Sequence, residues 1–441
     1  MAETIELSAT AFHIMAKPAG ALCNLDCAYC YYLEKERLYP SPDARRMSDE
    51  VLETFIRDYI ASQPTEEVNF AWQGGEPTAL GLAFFEKVVA LQDRYAGGKT
   101  IRNALQTNGV LLDDEWCRFL ARHQFLIGVS IDGPAHIHDA YRKDKGGRPT
   151  FDRVLRSIER MKRFNVEFNT LTCVHRQNQR RPLEVYRFLR EIGSGFMQFI
   201  PVVERMADAA TGADLSLVSP DSRVEAHVTP WSVTPADFGR FLSAIFDEWV
   251  RHDVGRVYVQ LFDIALQAWL GMEPALCVFA KTCGNAMVLE HKGDLYACDH
   301  YVYPENRVGN IMERPLRDLA RSQSQIAFGL AKHADLPSCC RKCPVLFACN
   351  GECPKHRFAA APNGEPGLSY LCEGYKRFYM HVAPYMQFMA DELRAGRPPA
   401  NIMHRVRQAD LIERSGSRPS ANDSCPCGSG RKFKKCCGRN A

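Results

Sequence analysis

Cysteines at positions 23, 27 and 30 form the arrangement Cys23-x-x-x-Cys27-x-x-Cys30 near the start of a chain of 441 residues. Three thiolates on so short a loop can ligate three irons of a four-iron cube. The fourth iron is then open to a small molecule that offers an amine and a carboxylate, and can pass it an electron. Zinc is the other reading of clustered cysteines. It takes four ligands, commonly from paired C-x-x-C units, and suits a triplet poorly.

A second field of cysteines lies far downstream. Cys277-x5-Cys283 is followed by Cys298, then by Cys340-x2-Cys343-x5-Cys349-x3-Cys353, and last by Cys372. Eight thiols suffice for two fully ligated four-iron clusters. Two four-cysteine zinc sites are the alternative, against which stand gaps too irregular for ribbon or finger arithmetic. Cys339 adjoins the series without an assigned role. A third group, Cys425, Cys427, Cys436 and Cys437, is packed into about a dozen residues with glycine turns and the basic run Arg431–Lys435. It suits one tetrahedral zinc, and so short a segment has no core, so metal must supply its folding energy.

The 18 cysteines would read as disulfides in a secreted protein. Here the N-terminus lacks a basic region before an apolar one, and the cysteines cluster, so they are expected to be reduced, metal-bound thiols of a cytoplasmic protein. The net charge of +3, from 55 basic and 52 acidic residues, demands neither a nucleic-acid nor a membrane partner. No apolar run reaches the ~18–20 residues of a membrane span. The length allows two to four domains with ample core.

The elements that position these cysteines follow from periodicity. Short apolar runs at Phe12–Ala16, Val68–Trp72, Ile101–Gln106, Phe125–Ile131, Val166–Val174 and Phe196–Pro201 predict strands. Helical-period stretches follow at Ser48–Ile60, Leu82–Tyr95, Asp113–His123, Phe151–Phe164, Pro182–Ile192 and Pro235–His252. Six strand–helix pairs predict a parallel sheet with helical crossovers, an incomplete (β/α)6 barrel of TIM type. Residues Glu204–Thr234 are expected to leave the sheet as a long excursion. The chain divides on this reading into the barrel (1–255), a small cysteine-rich domain with a C-terminal helix from Tyr375 to about Arg394 (256–395), a flexible linker (396–421) and a metal-binding tail (422–441).

Four polar motifs, three of them with glycine, end the first four predicted strands. They are the cysteine triplet, Gln73-Gly74-Gly75-Glu76-Pro77, Gln106-Thr107-Asn108-Gly109 and Ser130-Ile131-Asp132-Gly133-Pro134. Strands of a parallel barrel share one C-terminal rim, where active sites are built. One such turn is ordinary fold chemistry; three in register with the triplet converge on a single mouth.

The triplet followed by Tyr31-Tyr32 resembles the radical S-adenosylmethionine (SAM) superfamily, and the second field resembles the SPASM domain, an extension that carries auxiliary clusters. Ala297-Cys298-Asp299-His300, Cys349-Asn350-Gly351-Glu352-Cys353-Pro354-Lys355, Gly367-Leu368-Ser369-Tyr370-Leu371-Cys372 and Trp72-Gln73-Gly74-Gly75-Glu76-Pro77 are together similar to the anaerobic sulfatase-maturating enzymes, over about residues 10–395. That family converts one cysteine or serine of a sulfatase into Cα-formylglycine. The resemblance implies SAM and three four-iron clusters. It implies SAM contacts from the Tyr29 backbone, Gly74, Gly75, Glu76 (to the amine), Ser130, Arg142 (to the carboxylate) and Val203 (to the adenosine). One auxiliary cluster would take Cys277, Cys283, Cys298 and Cys353, and the other Cys340, Cys343, Cys349 and Cys372. Asp299 would act as base, with Tyr32 and Gln73 holding the substrate side chain of a Cys- or Ser-x-Pro-x-Arg segment. A flavodoxin- or ferredoxin-type donor would supply electrons. The tail resembles the SEC-C motif, which implies zinc and a docking partner.

Two alternatives stand beside this reading: another SPASM peptide-modifying enzyme, such as a thioether-forming one, and a zinc-binding adaptor. Thioether-forming enzymes commonly carry a leader-binding domain, and only about a dozen residues precede the first strand here. Cys117 and Cys173 are expected to be packed thiols, His136 and His138 exposed loop residues, and Trp116, Trp249 and Trp269 core.

Overall fold

The structure is a computed structural model that describes residues 11–39, 46–207, 217–222, 224–415, 420–425 and 430–435. Six parallel strands form the predicted barrel wall: β1 (His13–Lys17), β2 (Glu67–Trp72), β3 (Thr100–Thr107), β4 (Leu126–Ser130), β5 (Phe168–Val174) and β6 (Phe196–Pro201). Their crossovers carry α1 (Asp49–Ser62), α2 (Leu82–Tyr95), α3 (Asp114–Arg122), α4 (Ala135–Tyr141), α5 (Phe151–Arg163) and α6 (Pro182–Glu191). The excursion after β6 carries a short antiparallel pair, β7 (Arg205–Ala207) and β8 (Ala226–Val228), before α7 (Pro235–His252).

Local chemistry explains these elements. The Ser48 hydroxyl accepts from Val51 N at 3.2 Å to cap α1, and Asp113 Oδ1 accepts from Glu115 N and Trp116 N at 3.0 and 2.9 Å to cap α3. Pro235 occupies the first turn of α7, whose N-cap is Thr234. Val68, Phe70 and Trp72 of β2 are buried on the face toward the crossover helices, where Trp72 meets Phe55 of α1 and Phe85 of α2 edge to face.

The remaining strands are β9 (Tyr258–Val259), β10 (Ala286–Glu290), β11 (Asp294–Tyr296) and β12 (Arg307–Asn310). They extend the barrel sheet instead of forming a separate one. Among the described residues the order is β12-β11-β10-β1-β2-β3-β4-β5-β6-β9. β10 runs parallel to β1 along its whole length, from His13↔Ala286 to Lys17↔Glu290. One sheet therefore crosses the boundary expected at 255/256. Around the cysteines of the second field lie α8 (Gln260–Trp269), α9 (Leu316–Ala320), α10 (Gln323–Ala334), α11 (Ser338–Arg341), α12 (Leu346–Cys349) and the long α13 (Cys372–Arg394).

The expected linker is largely helical. α14 (Asn401–Ser415) buries Ile402 and Val406, one turn apart, against α7 and α13, and Arg251 pairs with Asp410 at 3.0 Å. Two buried apolar side chains at i and i+4 outweigh the polar composition from which a flexible segment was expected. Leu411 then packs on Cys425 and Phe433 of the tail, where Cys425 N donates to Arg431 O at 2.7 Å. Cys427, Cys436 and Cys437 lie outside the described residues.

α7 and α13 join the barrel to the cysteine-rich region by close backbone approach. A Cβ on Gly374 would fall 2.4 Å from Pro235 O, and one on Gly239 would fall 2.7 Å from Gly374 O. Gly374→Ala is expected to cost about 1–3 kcal/mol as the helices are forced apart. The readout is a lowered thermal midpoint of the metal-loaded protein; an unchanged midpoint would show that the seam parts freely.

Candidate active site

The parallel strands deliver their C-terminal ends to one rim, as predicted. The cysteine triplet follows β1, and backbone bonds lock it to the next loop: Gly75 N donates to Gly20 O and Glu76 N to Leu22 O, each at 2.7 Å. This contact, more than room for a cofactor, is what demands glycine. A Cβ on Gly75 would lie 2.1 Å from Leu22 O, and Gly74 has φ +132° with Gly20 O 2.9 Å from its Cβ position.

Glu76 also has structural partners. Its carboxylate is fully buried and holds four bonds: Oε1 accepts from Thr78 N (3.1 Å), Thr78 Oγ1 (2.6 Å) and Thr107 Oγ1 (2.7 Å), and Oε2 accepts from Asn108 N (2.7 Å). Glu76 is thus a latch between the exits of β2 and β3. Burial raises its carboxyl pKa above the ordinary value.

The three thiols of the triplet stand within electrostatic reach of one another, and burial pushes Cys23 and Cys30 up to about 11. Leu25 N donates to Cys23 Sγ at 3.4 Å, Asn108 Nδ2 to the same sulfur at 3.7 Å, and Leu33 N to Cys30. N–H groups aimed at sulfur suit a metal-bound thiolate, whose proton the metal displaces.

In the second field two groups of thiols lie within electrostatic reach of one another. Cys277 is coupled electrostatically to Cys283, Cys298 and Cys353, while Cys372 is coupled to Cys340, Cys343 and Cys349, with Cys339 alongside. Backbone N–H groups of Val278, His300, Lys355 and Gly351 approach Cys277, Cys298, Cys353 and Cys349 in turn. Among the described residues no three His, Cys, Asp or Glu side chains close on one bare ion.

The turn between Cys349 and Cys353 holds the two sets together. Asn350, Gly351 and Glu352 all have left-handed φ, at +46°, +71° and +58°. Arg357 compensates by donating to the carbonyls of Asn350 (2.9 Å), Gly351 (2.9 Å) and Glu352 (3.1 Å). Lys332 donates to the Val278 and Ala280 carbonyls at 2.9 and 2.6 Å, beside Cys277.

The barrel and the cysteine-rich region meet at Asp299. Lys17, the last residue of β1 and buried, places Nζ 2.6 Å from Asp299 Oδ1. Tyr31 Oη donates a short hydrogen bond to Asp299 Oδ2. Burial would raise the Asp299 carboxyl, but Lys17 and His300 outweigh it and hold it below its ordinary value. Lys17 Nζ also donates to Gln73 Oε1 at 3.3 Å and lies 4.1 Å over the Tyr32 ring. The structure thus gathers Asp299, Tyr32 and Gln73 around Lys17, a residue that the sequence reading did not name. The only prior signal was a lysine closing an apolar strand. Tyr31, not Tyr32, reaches the carboxylate.

Of the remaining candidates, Ser130 Oγ accepts from Gln106 Nε2 at 3.1 Å. Tyr29 and Arg142 are buried beneath the triplet. Val203 is buried and also lines a small cleft with Tyr31, Glu204, His300 and Lys355, where Lys355 pairs closely with Glu204. Cys173, expected to be merely packed, stands 3.7 Å from Arg142 Nη2. His138 is fully buried, not exposed, because its Nδ1 meets Asp132 N and its Nε2 meets Thr150 Oγ1.

A parallel sheet with helical crossovers, a three-thiol loop at its mouth and two four-thiol sets beyond it define a radical SAM enzyme with auxiliary clusters. Family models agree: residues 19–189 match the Radical SAM superfamily, 277–344 an iron-sulfur cluster-binding domain, and 422–439 the SEC-C motif. The chain is 47% identical over 399 residues to a serine-type anaerobic sulfatase-maturating enzyme of Bacteroides thetaiotaomicron, covering 90% of this chain and 96% of that one. It is 33% identical to a cysteine-type enzyme of Clostridium perfringens, covering 86% and 99%. The solved structure of native anSMEcpe with bound AdoMet and Cp18Cys peptide superposes with TM-score 0.76 at 32% identity, covering 87% of this chain and 100% of that one. This chain belongs to the anaerobic sulfatase-maturating enzymes.

Two substitutions probe the site. Cys27→Ala is expected to lose SAM cleavage while keeping about two-thirds of the iron, if three four-iron clusters are present; full activity would reject the triplet as the SAM-binding loop. Lys17→Met is expected to lower product formation about 10- to 100-fold, the worth of a charge-assisted hydrogen bond, while 5′-deoxyadenosine is still released. Unaltered product formation would remove Lys17 from the site.

Proposed function

We propose that this chain oxidises a serine or cysteine of a sulfatase to Cα-formylglycine. One observation carries the reading: Asp299, delivered by the auxiliary region, is fixed by Lys17 and Tyr31 at the mouth that the Cys23–Cys30 loop also faces. Cys23, Cys27 and Cys30 would hold a four-iron cluster that, with SAM, would supply hydrogen-atom abstraction at the substrate Cβ, and the two four-thiol sets would hold clusters able to take up the remaining electron.

The chain's own residues do the rest. Asp299 accepts the proton of the substrate hydroxyl or thiol as the carbonyl-type product forms. Lys17 keeps that carboxylate ionised and aimed, and Tyr31 fixes its second oxygen. Gln73 and Tyr32, gathered by the same ammonium, flank the substrate side chain. Arg142, Ser130 and Val203 line the ground where SAM is expected, with the carboxylate facing Arg142. The serine-type relative stands nearer in identity than the cysteine-type one, so serine is the first substrate to test. The segment Ser- or Cys-x-Pro-x-Arg is the substrate class.

Several further roles belong to this reading. A flavodoxin- or ferredoxin-type donor supplies electrons, and the thiol-rich chemistry calls for a reducing compartment, the cytoplasm. The tail binds one zinc through Cys425, Cys427, Cys436 and Cys437 and serves as a docking module. No helix among the described residues is long and apolar enough to cross a membrane.

Mass spectrometry of short Ser-x-Pro-x-Arg and Cys-x-Pro-x-Arg peptides after anaerobic turnover tests the reaction. Loss of H2 from the serine peptide, or loss of H2 with sulfur replaced by oxygen in the cysteine peptide, is expected; a thioether cross-link would favour the alternative class. Asp299→Asn is expected to lower the yield by about 10²- to 10⁴-fold. A wild-type yield from that variant would leave the base to another group.

A further inference from the structure

Asp132 stands two residues beyond Ser130 at the exit of β4 and is fully buried. A carboxylate in such a place is costly unless every oxygen is satisfied. Here Oδ2 accepts from Tyr29 Oη at 2.5 Å and from Arg142 Nε at 2.9 Å, and Oδ1 accepts from Cys173 N at 3.0 Å. His175 Nε2 lies 3.5 Å from Oδ2. Burial would raise the Asp132 carboxyl, but Arg142 and His175 outweigh it and hold it well below the usual carboxylate range.

Both partners of Oδ2 matter to the mouth. Tyr29 is one of the two residues between Cys27 and Cys30, so its side chain anchors the end of the cluster loop. Arg142 is fixed at its other end as well, because its carbonyl accepts from Thr150 Oγ1 at 2.8 Å. Its guanidinium lies 5.5 Å from the Tyr29 ring centroid. The Nε bond to Asp132 and the Nη2 contact with Cys173 Sγ at 3.7 Å restrict the orientation of the planar fork. A single oxygen therefore joins the loop that presents the thiols to the cation expected to meet the cofactor carboxylate.

We propose that Asp132 is a positioning residue, which sets the Cys27–Cys30 segment and the Arg142 guanidinium in one register so that SAM meets both together. The inference rests on the reading that SAM binds at this mouth. It assigns no contact between Asp132 and SAM. Its content is that the Tyr29 and Arg142 bonds to one oxygen act as a unit on SAM affinity and leave peptide binding alone.

The test uses reconstituted full-length protein, with SAM affinity measured by equilibrium dialysis, the reduced-cluster electron paramagnetic resonance spectrum recorded with and without SAM, and KM determined for a serine peptide. Tyr29→Phe removes one hydroxyl and keeps the ring. It is expected to retain wild-type iron, to weaken SAM binding about tenfold, as one hydrogen bond to a charged group is worth, to alter the SAM-induced spectral change, and to leave the peptide KM unchanged. Asp132→Asn is expected to weaken SAM binding further. The double variant should bind SAM no worse than Asp132→Asn alone, because the hydroxyl then has no carboxylate to hold. If Asp132→Asn does not fold, Tyr29→Phe carries the test through the split between SAM affinity and peptide KM. Wild-type SAM affinity in iron-replete Tyr29→Phe would overturn the inference, as would strictly additive losses. Wild-type protein that holds iron but does not bind SAM would instead overturn the reading of the mouth.

Discussion

A buried ammonium needs a counter-charge, and Lys17 finds its own in a residue 282 positions away, counted from 17 to 299. The cation sits at the end of β1, inside the barrel; the carboxylate arrives from beyond β11. Removing one partner of such a pair leaves an uncompensated charge, at a cost of about 3–5 kcal/mol. The barrel mouth is therefore complete only once the auxiliary region has docked. The carboxylate proposed as base is also part of what joins the two regions, so stability and chemistry draw on the same atoms.

The rest of the mouth is rigid for related reasons. The Gly74-Gly75 backbone is bonded to the start of the cluster loop at distances no side chain would permit. Glu76 ties β2 to β3 through four hydrogen bonds, and Asp132 ties the loop to the exit of β4. Three successive strand ends are thus linked to one another and to the thiols through buried groups. Preorganisation of this kind lets a site hold a reactive species without rearranging around it.

The sequence made the architecture legible wherever its signal was local. Strand and helix periods place β1 to β6 and their helices to within a few residues, and thiol spacing separates the triplet from the second field. The division of the second field into two four-thiol sets came from the resemblance alone. What escaped depends on contacts between distant residues. Lys17 looks like a strand terminus until Asp299 is beside it. Tyr31 and Tyr32 cannot be told apart by position, and only the fold turns one to the carboxylate and the other under an ammonium. The latch role of Glu76 escaped because its four internal donors come from turns whose approach periodicity does not encode. His138 looked like a loop histidine because the short α4 was not foreseen. Residues 401–415 looked like a linker because two buried side chains are a faint pattern in a polar stretch.

The order of strands has a consequence for how such enzymes can diverge. β10 hydrogen-bonds along all five residues of β1, so the cysteine-rich region supplies the neighbour that the first barrel strand would otherwise lack. A fragment ending at residue 255 would offer solvent a bare strand edge, the surface on which chains associate indiscriminately. The cysteine-rich part is not a detachable cassette. Any exchange of it between relatives has to bring a strand whose register suits β1, along with its cysteines.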